Sequence, residues 1–139
     1  MRIVVDGKPI AQARPRFYRR GNHVGTYSAQ ESEAGRWVVL ANSQINGKIT
    51  EVAVDVDMTF VLPRPKGHYG TGRNAGKLKP SAPKYPKGRP DIDNYCKWVL
   101  DCLNATGNVW KDDSQVVSLT AVKRYGEQPR TEIEILEAE

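Results

Sequence analysis

The chain is expected to fold as an α+β domain, with a mixed or antiparallel sheet and helices packed on one face. Three observations carry that expectation. Glu51 to Leu62 alternates apolar and polar residues. Two other stretches, near residues 29–44 and 91–104, place apolar residues at helical spacing. Two further strand-like runs follow Ser114. A length of 139 residues suits one domain with one modest core. Residues 1–139 therefore read as a single domain, with a basic flexible loop at about 63–90.

The elements follow in order. Met1 to Val5 alternates as a first strand, and Gly7-Lys8-Pro9 makes a turn that could lead into a continuing strand. Ala13 to Tyr27 is a basic and aromatic loop, with turn signals at Gly21-Asn22 and Gly25. A helix over 29–44 has Ser28 or Ser32 as its cap. Glu31 and Glu33 suit its first turn, and Trp37, Leu40, Ala41 and Gln44 recur along it. In the next strand Val52, Val54, Val56, Met58, Phe60 and Leu62 share a face. Pro63 ends it.

The stretch from Pro63 to Pro90 is a long loop, of the kind that is functional, disordered alone, or both. A second helix from Asp91 or Ile92 to Asn104 buries Ile92, Tyr95, Val99, Cys102 and Leu103, and Gly107 stands past its end. Ser114 to Tyr125 and Arg130 to Leu136 then form a C-terminal hairpin.

Several classes fall away on composition. No stretch approaches the roughly 20 apolar residues of a membrane span. The first residues lack the apolar core of a signal peptide. Cys96 and Cys102, on different helical faces, fit neither a disulfide nor a zinc site, and suit a reducing, cytoplasmic compartment. There is no P-loop and no nucleophile elbow.

The net charge of +5 hides a division. Lys8, Arg14, Arg16, Arg19 and Arg20 occupy one acid-free segment. Arg64, Lys66, Arg73, Lys77, Lys79, Lys84, Lys87 and Arg89 occupy another. The remainder holds 8 basic and 16 acidic residues. Positive charge gathered in two segments attracts a polyanion such as nucleic acid. Tyr18, Tyr69 and Tyr85 lie in or beside these segments.

Against that background stands a set of acids: Asp91, Asp93, Asp101, Asp112 and Asp113. Asp93, Lys97 and Asp101 follow at one-turn intervals on a helical face. Asp101 reads as a structural partner of the lysine. If the helix and the following strand close together, Asp113 approaches Asp91 and Asp93. Converging carboxylates repel unless a cation lies between them. Mg²⁺ fits such a set, with substrate phosphate completing its shell. Taken singly, each acid has a plainer use as helix cap, surface ion pair or turn residue.

The run Arg89-Pro90-Asp91-Ile92-Asp93-Asn94, with Lys97, Asp101, Leu103, Asn104 and Trp110, and then Asp112-Asp113-Ser114-Gln115-Val116, resembles the RusA family of Holliday junction resolvases. Gln12-Ala13-Arg14-Pro15-Arg16 is more weakly similar to the family's basic segment. These are small endodeoxyribonucleases, often carried by phages, with roles in DNA recombination and repair.

The resemblance implies a homodimer that binds four-way junction DNA and makes two symmetric cuts with Mg²⁺, or with Mn²⁺ in its place. It implies Asp91, Asp93 and Asp113 as metal ligands and Lys97 as the catalytic lysine. Asn94 is expected to fix the helix start, and Asp112 is a possible additional site residue. DNA contacts are expected from Arg14, Arg16, Arg19, Arg20, Lys77, Lys79, Lys84, Lys87 and Arg89. No membrane and no protein partner other than a second copy is implied. Two other functions fit the same residues: a non-catalytic structure-specific DNA-binding module, and a metal-dependent nuclease acting on flaps or forks.

Overall fold

In the computed structural model, residues 1–13, 16–21, 23–27 and 30–138 are described, with residues 16–20 and 23–27 described by their backbone alone. Strands β1 (Arg2–Asp6), β4 (Val54–Leu62), β5 (Val116–Tyr125) and β6 (Arg130–Glu137) form one sheet in the order β1-β6-β4-β5. The pairs β1–β6 and β6–β4 are antiparallel, and β4–β5 is parallel. Strands β2 (Arg16–Arg20) and β3 (His23–Tyr27) make a separate hairpin around Gly21. Helices α1 (Glu31–Asn42) and α2 (Ile92–Thr106) pack together over the sheet. The α+β architecture is as the periodicities indicate.

Strand β4 takes the centre because it is apolar enough to be covered on its inner face and flanked on both edges. Val54, Val56, Met58 and Phe60 are buried against α2, where Tyr95 stacks on Phe60 with ring centroids 5.1 Å apart. Asp55 and Asp57 on the other face are exposed. Ile3, Trp37, Ala41, Val99, Leu103, Trp110 and Ile133 complete one core. Gly107 adopts a left-handed φ of 66° and closes α2.

The expected C-terminal hairpin is absent. β5 and β6 are consecutive but lie on opposite edges of β4. The connection crosses the end of β4, where the Gly126 N–H donates to Leu62 O at 3.0 Å. A Cβ at Gly126 would stand 2.5 Å from a Val61 methyl, so the crossing is that close.

Other expectations shift. Residues 9–13, described after the Gly7-Lys8 turn, carry no strand, and the basic stretch read as a loop contains the β2–β3 hairpin. Helix α1 starts after Gln30, so Ser32 lies in its first turn and not at its cap; Ser28 lies outside the described residues. Val52 precedes β4 and is exposed. Helix α2 runs on to Thr106.

The two sheet edges are treated differently. The Gln44 side chain closes the β1 edge, with its Oε1 accepting from Val4 N at 2.9 Å and its Nε2 donating to Val4 O at 2.7 Å. At the other edge β5 leaves Val117, Leu119 and Val122 exposed, at 64%, 44% and 39%.

The 63–90 loop is tied to the last residues of β5. Lys84 O accepts from Tyr125 N at 3.1 Å, and the Arg64 guanidinium lies 5.1 Å from the centre of the Tyr125 ring. Two short 3-10 turns, Lys66–His68 and Gly72–Asn74, organise its first half.

Candidate active site

Helix α2 begins with a cis Arg89–Pro90 peptide and then Asp91 as its N-cap. The Asp91 backbone is extended and its side chain makes no capping hydrogen bond, so its carboxylate is not spent on the helix. Asp93 follows in the first turn, where negative charge suits the helix dipole. Its Oδ1 accepts from Asn94 N at 3.0 Å.

Asn94 helps to fix the helix start through its backbone. Its N–H also reaches Asp91 O at 3.1 Å, and its carbonyl accepts from Gln12 N at 3.0 Å. That last bond attaches the start of the first basic segment to the acid-bearing turn.

An open groove of about 490 Å³ runs between α2 and β5. Asp93, Lys97, Asp101 and Asp113 line it, and Ile92, Leu100, Leu119 and Ala121 supply apolar wall. Asp91 does not line this groove. Lys97 Nζ lies 3.4 Å from Asp101 Oδ2, the expected partnership, with Lys97 exposed and Asp101 partly exposed. Such a pair contributes only a few tenths of a kcal/mol.

Asp113 opens a 3-10 turn, Asp113–Gln115, just before β5. Its Oδ2 accepts from Asn104 Nδ2 at 3.0 Å, and Asn104 Oδ1 accepts from Trp110 Nε1 at 2.6 Å. Trp110 is buried in the core. The carboxylate is thereby fixed to the framework through one amide. Asn104 stands within the stretch that resembles the family, but spacing alone does not disclose its role.

Asp112 has different work. Its Oδ2 accepts from Ser114 N at 3.0 Å, and Gln115 Oε1 accepts from Asp112 N at 3.2 Å, a reciprocal capping box. Bonds to Ser114 hold its pKa below the usual carboxylate value. Gln115 Nε2 also donates to Thr50 O and Val52 O, which fastens the turn to the chain before β4.

The expected meeting of three acids is not formed within one chain. Among the described residues, no three His, Cys, Asp or Glu side chains are grouped to hold a metal ion. Asp91 and Asp93 lie at the start of α2. Asp113 is held near its far end by Asn104. The helix-start pair alone matches the way Mg²⁺ is commonly held, by one or two carboxylates with water and phosphate oxygens.

Burial raises the Cys102 thiol pKa to about 12, with a smaller effect from Asp101. Burial and the neighbouring Asp93 charge push Cys96 up as well. Both are buried free thiols, so neither is an available thiolate ligand at neutral pH.

The second basic segment sits beside the start of α2. Lys77, Lys79, Lys84, Lys87 and Arg89 are exposed and have no ion-pair partner among the described residues. Lys123 on β5 donates to Gly88 O at 2.7 Å and to Pro90 O at 2.9 Å, which anchors the end of this segment next to Asp91. Lys123 is a second residue that spacing did not single out. Arg14 and the side chains of Arg16, Arg19 and Arg20 lie outside the described residues.

An acidic groove beside a basic segment, on a small mixed sheet, defines a nuclease-like class of domain. The sequence comparison narrows the class. The family model for endodeoxyribonuclease RusA matches residues 6–136, and the chain belongs to that family. An uncharacterized protein of Bacillus subtilis (strain 168), YqaN, is 37% identical over 142 residues, covering 99% of this chain and 96% of that protein. No helix among the described residues is long and apolar enough to cross a membrane.

Proposed function

We propose that this endodeoxyribonuclease-family chain resolves four-way DNA junctions by paired, symmetric phosphodiester cleavage, with Mg²⁺ as its metal and a homodimer as its working form. The observation that carries the reading is Asp91, with its carboxylate unspent on capping, beside the exposed basic segment and two residues before Asp93, which lies one turn of helix from Lys97.

Asp91 and Asp93 would hold the divalent ion, with Asp113 as the third acid. Bound there, the ion supplies Lewis acidity toward the scissile phosphate. The chain's own groups do the rest. Lys97 brings a cation one turn along the helix, where it can neutralise charge developing on phosphate oxygens. Its weak, exposed pairing with Asp101 lets it turn to the DNA at little cost.

The basic segment 63–90 contributes phosphate contacts that position the strand. A four-way junction has two-fold related strands, which a two-fold dimer meets with one centre each. The open β5 edge, with Val117, Leu119 and Val122 exposed, supports such an association.

Cleavage of a labelled synthetic four-way junction, with linear duplex and flap controls, in Mg²⁺ and in EDTA, tests the reading. Paired symmetric nicks that need the metal and spare the duplex are expected. Tight junction binding with no cleavage in any divalent metal would reduce the chain to a binding module. Equal cutting of flaps would remove junction selectivity.

A further inference from the structure

We propose that residues 68–79 form a rigid finger that recognises the branch point of the DNA, with Leu78 and Tyr69 packed on a base pair left without a stacking neighbour. This rests on the branched-DNA reading above and adds the part of the chain that senses the branch.

The backbone builds the finger. Tyr69 and Leu78 form an antiparallel bridge, flanked by Gly70 N donating to Lys77 O and Lys79 N donating to His68 O, each at 2.9 Å. Bonds so placed make Tyr69 and Leu78 a non-hydrogen-bonded pair, in which facing side chains come closest. Gly70 bridges Ala75 across the tip, and a Cβ there would stand 2.6 Å from Asn74 Cβ. Gly72 and Gly76 turn the tip with left-handed φ of 59° and 77°. Yet every residue from 71 to 81 is exposed, and none joins the core. A turn so closely specified, with nothing buried, owes its shape to what it presents.

Its surface is divided. Leu78, 51% exposed, shares one face with half-buried Tyr69. Alternation along the strand carries Lys77 and Lys79 to the other face, and Arg73 stands on the tip. These three cations are exposed, and no acid occurs from Pro63 to Pro90. A lone exposed leucine is ordinary on a protein surface. Here it is paired with a tyrosine, on a projecting ribbon whose opposite face is cationic. The cations favour a polyanion. An apolar face has no use for phosphate, but it suits the face of a base. In continuous duplex that face is covered by the next base pair, and opening a step is costly. Where strands diverge, the last pair of an arm is uncovered. A ribbon lodged there meets a base pair with one face and a departing backbone with the other.

The finger is also fixed beside the acids. His68 at its base packs edge-on against the Tyr125 ring, with centroids 4.9 Å apart, and Arg64 lies over the same ring. Arg64 Nη1 donates to Pro83 O, and Tyr125 N donates to Lys84 O, so both sides of the loop are tied to the end of β5. Two residues earlier on that strand, about 7 Å away, Lys123 donates to Pro90 O next to Asp91. Finger and helix start thus share one anchoring point, and a branch held by Leu78 would bring its strands to the candidate cleavage centre.

Two measurements decide, both on the full chain in EDTA so that nothing is cut. The first is the affinity for a synthetic four-way junction relative to linear duplex. Leu78→Ser should lower that ratio by about 10-fold. Its duplex affinity should hold, because no charge is lost. Leu78→Phe should keep the ratio, because it keeps an apolar face. In the second, a photoreactive benzoylphenylalanine replaces Leu78, and its crosslinks should map to the nucleotides flanking the branch. An unchanged ratio in Leu78→Ser overturns the inference, as do crosslinks spread evenly along the arms. So does a Leu78→Ser protein that self-associates less than wild type without DNA, since the leucine would then cover a second copy. Failure of the nuclease reading looks different: wild-type protein that never cuts in Mg²⁺, while the affinity ratio and the crosslinks still report on the finger.

Discussion

Asn104 holds Asp113: its Nδ2 donates to the carboxylate at 3.0 Å, while its Oδ1 takes the Trp110 indole hydrogen at 2.6 Å. One amide thus connects a core aromatic ring to an acid on the groove. The orientation of the amide follows, since only its oxygen accepts from an indole and only its nitrogen donates to a carboxylate.

Replacing Asn104 with Ala should therefore do two things. The buried Trp110 N–H loses its acceptor, which costs about 1–3 kcal/mol of stability. Asp113 loses its orienting donor, and turnover should fall while the affinity for junction DNA holds. Asn104→Asp separates the effects, because it keeps the acceptor and sets a second carboxylate against Asp113. Urea melts and single-turnover cleavage check both. An Asn104→Ala protein with wild-type turnover would show that Asp113 needs no orientation.

At the other end of the groove, Asp93→Asn should keep junction binding and lose cleavage. Lys97→Ala should lower turnover by roughly 100-fold, and Lys97→Gln should not restore it, since the proposed role of this side chain depends on its charge. Loss of the Lys97–Asp101 pair itself should move stability by only a few tenths of a kcal/mol. Rates and melting curves of the same variants make the comparison. A Lys97→Ala enzyme that cuts normally would confine this lysine to its surface pair.

Much of this arrangement can be read along the chain, and the failures have physical reasons. Helix α2 is legible because Tyr95, Val99, Cys102 and Leu103 repeat at helical spacing and Gly107 stops them. β4 is legible because it alternates over nine residues. The pairing of β5 with β6 is misread because a short link between two strands looks like a hairpin, whichever strand lies between them. Here the apolar β4 takes that place and the link crosses its end at Gly126. The acids are legible one by one, but their separation depends on which end of the helix each one meets. Asn104 and Lys123 act by hydrogen bonds between residues distant along the chain or lacking any periodic mark.

Cys102 links burial to alkaline stability. Its thiol pKa is raised from 9.0 to about 12 in the folded chain, mainly by burial. The folded state therefore keeps a proton that the unfolded state releases above about pH 9. Across that window the unfolded chain binds fewer protons, so stability falls as pH rises from near 9 toward 12. Below the unfolded value this group gives no slope. Cys102→Ala should flatten the alkaline fall, although the cavity it leaves lowers stability at every pH. Denaturant melts between pH 7 and 11 read the slope, and an equal slope in both proteins would exclude the thiol as its source.

The loop carries the last prediction. Lys77, Lys79, Lys84 and Lys87 are exposed, and Lys123 fastens the loop's end beside Asp91 through Gly88 O and Pro90 O. Two roles are separable here. Cations that touch phosphate release counterions, so neutralising the four loop lysines together should weaken junction binding and flatten its dependence on salt. Lys123 spends its ammonium on two carbonyls, so Lys123→Met should leave the salt slope nearly intact. It should instead loosen the chain before α2, with faster proteolysis within 63–90 and slower cleavage of bound junction. Lys123→Arg should recover part of both. Binding isotherms over a salt series, with limited proteolysis of the same proteins, measure the difference. A salt slope that falls as much for Lys123→Met as for the loop variant would make Lys123 a phosphate contact and not an anchor.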